Sequence, residues 1–532
     1  MTSPDSVDPD GMDSSTHPRV DVSADRIRRW THTVSIGILL CTCLCLLWPG
    51  LSGGGRLGFR DTAFFYDPLY RLVAAQDHAG FGGRRCAWNP YDSLSGTSLA
   101  GETTTAVFYP PRHLIYLTLA ADGDDSRSAM ALHVYLLLHL MLAGVAALYA
   151  ARIAGASSCA AGLAAIVYPL SGPVWFQIYN VPFLVGAAWA PFAIGALTRL
   201  LNPREHRGEW RSIAIAALAM SACVLGGDPQ MAFMVIVVFA ALIVFRFCQF
   251  ALGRVFRRVD DAGTESYQVP GQIQGQISSR RRLWLIVSRL ATAAGLAGVI
   301  AAPQIAESIR SAALSDRTGA ACDVWSVGAA AMRRPEALSH AEDVYRFSVA
   351  PWHWLQSISP AAGGQFFPEN RRLSALIPGE DWMWVTTLFA GLFPLAIWIA
   401  RIVGAGGALA EGCRRRRRRD LWDGLPLIGL AMALGIFGLV SLVHGCNRIT
   451  GLVWLSDWHP GLGGPMHALN ALVPSASVFR YPAKWLPFVS LGLAVAAARG
   501  WSCGGGGGGE RASTQKGGGG GGGGGKWKGW RE

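Results

Sequence analysis

The sequence predicts an all-α membrane protein, a polytopic bundle of about ten transmembrane helices with two large exterior loops. Three observations lead there. Hydrophobic residues make up 51% of the 532 positions and charged residues only 15%, where a soluble domain carries roughly a quarter charged residues. Apolar runs of spanning length recur along the chain. The short basic clusters fall between alternate runs, the arrangement that orients helices in a bilayer. The net charge of +12 therefore reads as membrane orientation, and nucleic acid is not expected as a partner.

Residues 1–29 read as a disordered cytoplasmic tail, polar and acidic up to Asp25 and basic at Arg26, Arg28 and Arg29. The tail is too long and too acidic for the n-region of a signal peptide, and no small-residue cleavage site follows. The run Val34 to Trp48 is thus an uncleaved first span. With about 20 apolar residues as the spanning length, the membrane domain, residues 30–500, divides into runs. These are Val34 to Leu51, Ala129 to Ala151, Ala154 to Val174, Val181 to Leu200, Trp210 to Leu225, Met231 to Phe250, Leu283 to Ile305, Trp384 to Val403, Leu425 to Val443 and Trp485 to Ala498. With the amino terminus inside, the clusters around Arg199 to Arg211, Arg254 to Arg282 and Arg414 to Arg419 all fall on the cytoplasmic side, as the positive-inside rule asks.

The exterior then receives residues 52–128 and 307–383 as long loops and His444 to Lys484 as a shorter one. Long ordered loops on a rigid scaffold are where function concentrates. In the first, Thr62 to Gln76 groups Phe64, Phe65, Leu69, Leu72 and Val73 near one side of a helix suited to the membrane interface, interrupted at Pro68. Leu114 to Leu119, after Pro110 and Pro111, is a short apolar segment that dips without crossing. Most cysteines, Cys41, Cys43 and Cys45 among them, sit in apolar runs as small packing residues. Cys86, Cys322 and Cys446 fall in exterior loops, where a disulfide and free thiols are both open. Residues 501–532 contain the glycine tracts Gly504 to Gly509 and Gly517 to Gly525. They read as a low-complexity tail without function, as at a truncated or misread gene end.

The first loop reads Arg60-Asp61-Thr62-Ala63-Phe64-Phe65-Tyr66-Asp67-Pro68, then Trp88-Asn89-Pro90-Tyr91, Gly96 and Phe108-Tyr109-Pro110. Gly226-Gly227-Asp228-Pro229-Gln230 stands between the fifth and sixth runs, and Phe479-Arg480-Tyr481-Pro482-Ala483-Lys484 opens the last. Together these resemble the YfhO-like family of bacterial membrane proteins, which is similar to the GT-C superfamily of polyprenyl-phosphate-sugar glycosyltransferases. The resemblance covers most of Arg26 to Arg499. It implies a catalytic acidic residue in the first exterior loop, carried here by Asp61, and a second large loop that helps cover the site. It also implies a polyprenyl-phosphate sugar donor, a cell-envelope polymer or lipid as acceptor, membrane lipid as surroundings, and a place in the bacterial cytoplasmic membrane. Members of the family continue through further spans and an exterior carboxy-terminal portion.

A carboxylate within hydrogen-bond reach of an acceptor hydroxyl supplies a general base worth about 10²–10⁴-fold. Cations stabilise charge growing on a departing phosphate. Asp61 is the expected base, or a ligand to a divalent metal that holds the phosphate; a solvated loop carboxylate or a partner of Arg60 is the bland alternative. Asp67 is a second candidate carboxylate, or a turn or cap residue beside Pro68. Arg480 and Lys484, four apart, would share one face at a helix mouth and hold phosphate, or snorkel to headgroups. Trp88 and Tyr91 would stack on a sugar, or belong to an aromatic belt. Asp228 would contact substrate, or cap the helix beginning at Pro229. His459 and His467 lack metal-ligand spacing and read as loop residues. Beside a glycosyltransferase stand a transporter or flippase of a lipid-linked compound, with no internal repeat visible, and an inactive truncated scaffold. No P-loop is present, so ATP-driven work within the chain is not expected.

Overall fold

The computed structural model describes residues 22–52, 54–55, 57, 61–78, 88–91, 96–120, 125–201, 208–244, 272–312, 340–365, 371–372, 384–403 and 421–505. The readings of the acidic stretch before Val22, the glycines beyond Gly505, the Arg414 to Arg419 run, Cys86 and Cys322 lie outside them. The described chain is an all-α membrane protein; its only strands are two short antiparallel pairs, Trp88–Asn89 with Thr97–Ser98 and Gly364–Gln365 with Arg371–Arg372. Four helices are long and apolar enough to cross a bilayer: α1 (Val22–Leu51), α4 (Asp125–Ile153), α7 (Val181–Leu200) and α10 (Gln272–Ala312). The segments Ser158–Leu170 (α5) and Gly172–Tyr179 pass the same test as one span bent by 54°. The bend has a local cause. Pro169 ends α5, and Ser171 is extended (φ −65°, ψ 145°) before Gly172 and Pro173 restart a turn.

Between these lie α2 (Asp67–His78), which follows directly on the π-helical turn Thr62–Tyr66, and α3 (Arg112–Ala120). A helix is present over this stretch, with Pro68 at its second position rather than breaking it, but the expected apolar side is divided: Phe64 and Phe65 are exposed and Val73 is buried in the core. Next come α8 (Glu209–Leu225) and α9 (Pro229–Val244). The carboxy-terminal part adds α11 (His340–Val344), α12 (Leu392–Val403), α13 (Leu421–Ala433), α14 (Leu439–Thr450), α15 (Pro465–Leu472) and α16 (Leu486–Gly505).

Two expected spans take a different form. The eighth begins as a helix only at Leu392, because Gly391 (φ +102°) breaks the chain after Trp384. The ninth is split. Helix α13 stops at Ala433, Gly435 turns through φ +55°, and α14 restarts at Leu439. A uniformly apolar run hides such a break, because hydropathy does not register a glycine turn.

Helices α4, α7 and α8 pack in series, with α10 against α8, while α16 packs against α5, α12 and α13. Helix α16 is the innermost element, and every residue from Pro482 to Ala498 is buried. A helix apolar all round belongs in the middle of a bundle. Close approach is set by small residues. A Cβ on Gly492 would stand 2.3 Å from the Pro426 ring of α13, and one on Gly429 would stand 3.1 Å from the Trp485 carbonyl. At one end of α16 the Arg401 guanidinium makes a two-pronged bond to Asp423 (2.7 and 2.8 Å), with Arg499 at 3.8 Å. The other end leads into the candidate site.

Candidate functional site

The turn Pro482–Trp485 that starts α16 cannot be a smooth helical entry. Tyr481 lies at φ +72°, a left-handed conformation costly for a residue with a Cβ, and Pro482 follows. This kink is why Arg480 and Lys484 do not share a helix face, as their spacing suggested. They diverge around one glutamine. Lys484 Nζ donates to Gln230 Oε1 at 2.9 Å, and Gln230 Nε2 donates to the Arg480 carbonyl at 2.7 Å. Lys484 is buried, and its ammonium sits 3.6 Å from the Phe183 ring centroid, with the Tyr481 and Trp384 rings at 5.5 and 5.9 Å. Phe347 completes the aromatic wall, 5.0 Å edge-on from Tyr481 and 5.2 Å from Trp384.

Asp228 faces the same ammonium from the junction of α8 and α9. It caps α9 through Oδ1, which accepts from the Met231 N–H at 3.1 Å. Its Oδ2 is buried with no hydrogen-bond partner, pressed so closely to α7 that a Cβ on Gly186 would stand 2.3 Å away. Burial pushes the carboxyl up to about 6, while the Lys484 charge and the Met231 N–H pull it back. The junction has room because Gly227 turns at φ +98°, with the Thr103 carbonyl of the first loop 2.7 Å from where a Cβ would be. Arg480 turns outward, its Nη1 donating to Asp343 Oδ2 at 2.7 Å. The segment carrying Asp343 is stitched to the same turn, since the Val344 carbonyl accepts from the Tyr481 N–H at 3.2 Å. The second long loop thus reaches the site, as expected.

The first-loop carboxylates line no part of this cluster. Asp61 heads the π-helical turn, exposed and making no side-chain capping bond. Among the described residues no hydrogen bond or ion pair joins it to Arg480, Lys484 or Asp228. The neighbouring Thr62 side-chain hydroxyl donates to the Ile178 carbonyl at 3.3 Å, five residues before Phe183. Asp67 accepts from Arg71 Nε at 3.0 Å across one helical turn. The pair lines an open cleft of about 470 Å³ with Thr62, Leu132 and His133. Trp88 and Tyr91 lie on the small hairpin, the former half-exposed with its ring on Gly96, the latter exposed. Among the described residues no three His, Cys, Asp or Glu side chains come together to hold a metal ion. Cys446 is a free thiol.

Sequence reasoning missed Gln230, Asp343, Phe183 and Trp384. Gln230 was within reach as the last residue of the Gly-Gly-Asp-Pro-Gln run, where a capping Asp fixes the direction of the next side chains. The others come from distant segments that only the fold brings close. His459 and His467 are more than loop residues. Both are buried, 4.7 Å apart ring to ring, around Tyr345, whose hydroxyl accepts from Asn470 Nδ2 and shares a hydrogen bond with His467 Nδ1 at 3.3 Å.

No family model and no curated protein matches the chain. Among solved structures it is similar to the archaeal oligosaccharyltransferase AglB from Archaeoglobus fulgidus, determined in complex with an inhibitory peptide and a dolichol-phosphate. The identity is 14% and the TM-score 0.42, over 88% of this chain and 50% of that one. The chain spans about half the length of that structure.

Proposed function

We propose that the chain is a membrane glycosyltransferase of the YfhO-like kind, within the GT-C superfamily. It moves a sugar with inversion from a polyprenyl-phosphate donor to a cell-envelope acceptor. In this reading the Lys484 end of α16 faces the exterior of the bacterial cytoplasmic membrane and the Arg499 end the cytoplasm. The observation that supports it is the buried Lys484 ammonium, held by Gln230 and walled by Phe183, Tyr481 and Trp384, with Arg480 one turn away.

A phosphate arriving from the lipid would take Lys484 as its counter-charge in competition with Asp228, whose raised carboxyl gives up its charge more readily than a surface aspartate. The positive end of α16 adds to the attraction. Asp61, exposed and without a capping bond, takes the proton from the acceptor hydroxyl. The acceptor oxygen then bonds to the anomeric carbon from the side opposite the phosphate. The carbon–oxygen bond to phosphate breaks, and polyprenyl phosphate leaves with the electron pair beside Lys484 and Arg480. Trp88 and Tyr91, exposed on their hairpin, stack on the sugar.

The test is reconstitution with labelled polyprenyl-phosphate sugar. Asp61→Asn lowers turnover about 10²-fold or more with donor binding kept, and Lys484→Met weakens donor binding. Transfer that survives undiminished in Asp61→Asn refutes the mechanism.

A further inference from the structure

The break that splits α13 from α14 leaves residues 439–458 as a hairpin with an unpartnered apolar face. Leu439, Leu442, Ile449, Val453 and Trp454 are all more than 60% exposed, Ile449 at 88% and Val453 at 78%. Such a contiguous patch marks a surface with an apolar partner. We propose that this hairpin inserts into the membrane leaflet at the Lys484 end of the bundle, its apolar face covered by acyl chains, so that the segment neither spans the bilayer nor stands in water.

The depth of its base supports lipid as the occupant. Fifteen residues separate Lys484 from Arg499, about 22 Å at helical rise. Arg499 belongs to the Arg401–Asp423 cluster, which marks the opposite polar boundary. The hydrocarbon layer is roughly 30 Å thick. Lys484 therefore lies several ångströms below the outer boundary, in a pit walled by protein. The hairpin starts at that level, because a Cβ on Gly435 would stand 2.5 Å from the Pro482 ring. What leaves the bundle there meets hydrocarbon.

The internal bonding fits the same medium. Non-helical backbone at membrane depth needs its polar groups satisfied. The Trp454 carbonyl accepts from Asn447 Nδ2 at 2.6 Å, and the Leu455 carbonyl accepts from His444 Nε2 at 2.7 Å. Gly451 (φ +72°) turns the chain and donates to the Asn447 carbonyl at 2.8 Å. Asn447 and His444 of α14 are thus spent on the tip, while Arg448, Thr450, Ser456 and Asp457 are exposed with the apolar residues and mark the part that meets headgroups. Arg448 and Trp458 flank the tip with the residue types that reach headgroups. At the base, Ser441 N–H donates to the Pro460 carbonyl and Val440 N–H to the Leu462 carbonyl (3.0 and 3.2 Å), closing the hairpin.

The experiment places a photoreactive benzoylphenylalanine at Val453 in the full chain, reconstituted in phosphatidylethanolamine–phosphatidylglycerol liposomes. A second variant carries it at Val299, exposed on the spanning helix α10, as the reference for a lipid-facing position. After irradiation, phospholipid adducts are counted by mass spectrometry of the labelled peptide. The expected yield at Val453 is within about threefold of that at Val299. A yield below about a tenth of the reference, or cross-linking mainly to a second copy or to another protein, overturns the proposal. The outcome is independent of whether the chain transfers a sugar.

Discussion

Replacing Lys484 by methionine removes the one ammonium that Asp228, Gln230 and the Phe183 ring share, and its cost follows from those contacts. The bond to Gln230 is charge-assisted and contributes about 1.5–3 kcal/mol. A desolvated cation over an aromatic face at 3.6 Å adds on the order of 2 kcal/mol. These terms overlap, so the cost is on the order of 3 kcal/mol in all. Asp228→Asn is milder, because the amide oxygen still accepts from the Met231 N–H and the cap survives. Asparagine caps about as well as aspartate, so its cost is below about 1 kcal/mol. In the double variant no carboxylate is stranded, so the loss is smaller than the sum of the singles by about 0.5–3 kcal/mol. The assay is thermal unfolding in detergent, followed by tryptophan emission, for the four members of the cycle. Costs that add to within about 0.5 kcal/mol would refute the pairing.

Further outcomes follow from the same geometry. Gly227→Ala strains a φ of +98° and drives a methyl to 2.7 Å from the Thr103 carbonyl; it destabilises by about 1–2 kcal/mol or more and speeds proteolytic cleavage within residues 97–105. At Tyr481 both truncations lose the ring contacts, but glycine tolerates φ +72° and alanine does not. Tyr481→Gly is therefore more stable than Tyr481→Ala by about 1 kcal/mol, the reverse of the usual order, and unfolding temperatures decide it. The pH profile carries two opposed contributions. Burial and neighbouring His467 hold His459 down at about 4. The unfolded chain thus binds the extra proton between about 6.5 and 4, and this group's stability is lost as pH falls through that window. Asp228, raised to about 6, acts the other way, favouring the folded state as pH falls from about 6 toward 4. Asp228→Asn thus steepens acid unfolding and His459→Gln flattens it; the opposite order in unfolding temperature between pH 7 and pH 4.5 contradicts both assignments.

Much of the membrane architecture was legible because hydropathy and positive charge are summed over twenty residues at a time. Val181–Leu200 matches its apolar run to the residue, and α4 and α8 come within a few residues. The same averaging concealed Gly391 and Gly435, single residues at positive φ that shorten one helix and split another. Site residues follow a similar rule. Asp228 as a cap was readable, since Asp-Pro before an apolar run is a local signal. The shared ammonium was not, because its partners Trp384, Gln230 and Phe183 lie 100, 254 and 301 residues from Lys484. Spacing put Arg480 and Lys484 on one face, and the structure parts them. The four-residue interval assumes a helix where Tyr481 and Pro482 forbid one, and the two cations instead part to Asp343 and Gln230.

The kink before α16 also explains how a cation is kept at depth. A lysine on a smooth helix end near the boundary would extend its stem and carry its charge to the headgroups. Tyr481 and Pro482 turn the chain so that Lys484 points back under the aromatic wall, where Gln230 and Asp228 compensate for the water it gives up. Lengthening the reach tests this directly. Lys484→Arg brings a planar fork that cannot sit head-on over Phe183 and bond Gln230 in the same geometry. The charge is kept while the geometry is lost, so the variant destabilises by about 1–3 kcal/mol. If Lys484→Arg unfolds at the wild-type temperature, the ammonium is not confined as described, and positive charge alone at this end of α16 is what the fold requires.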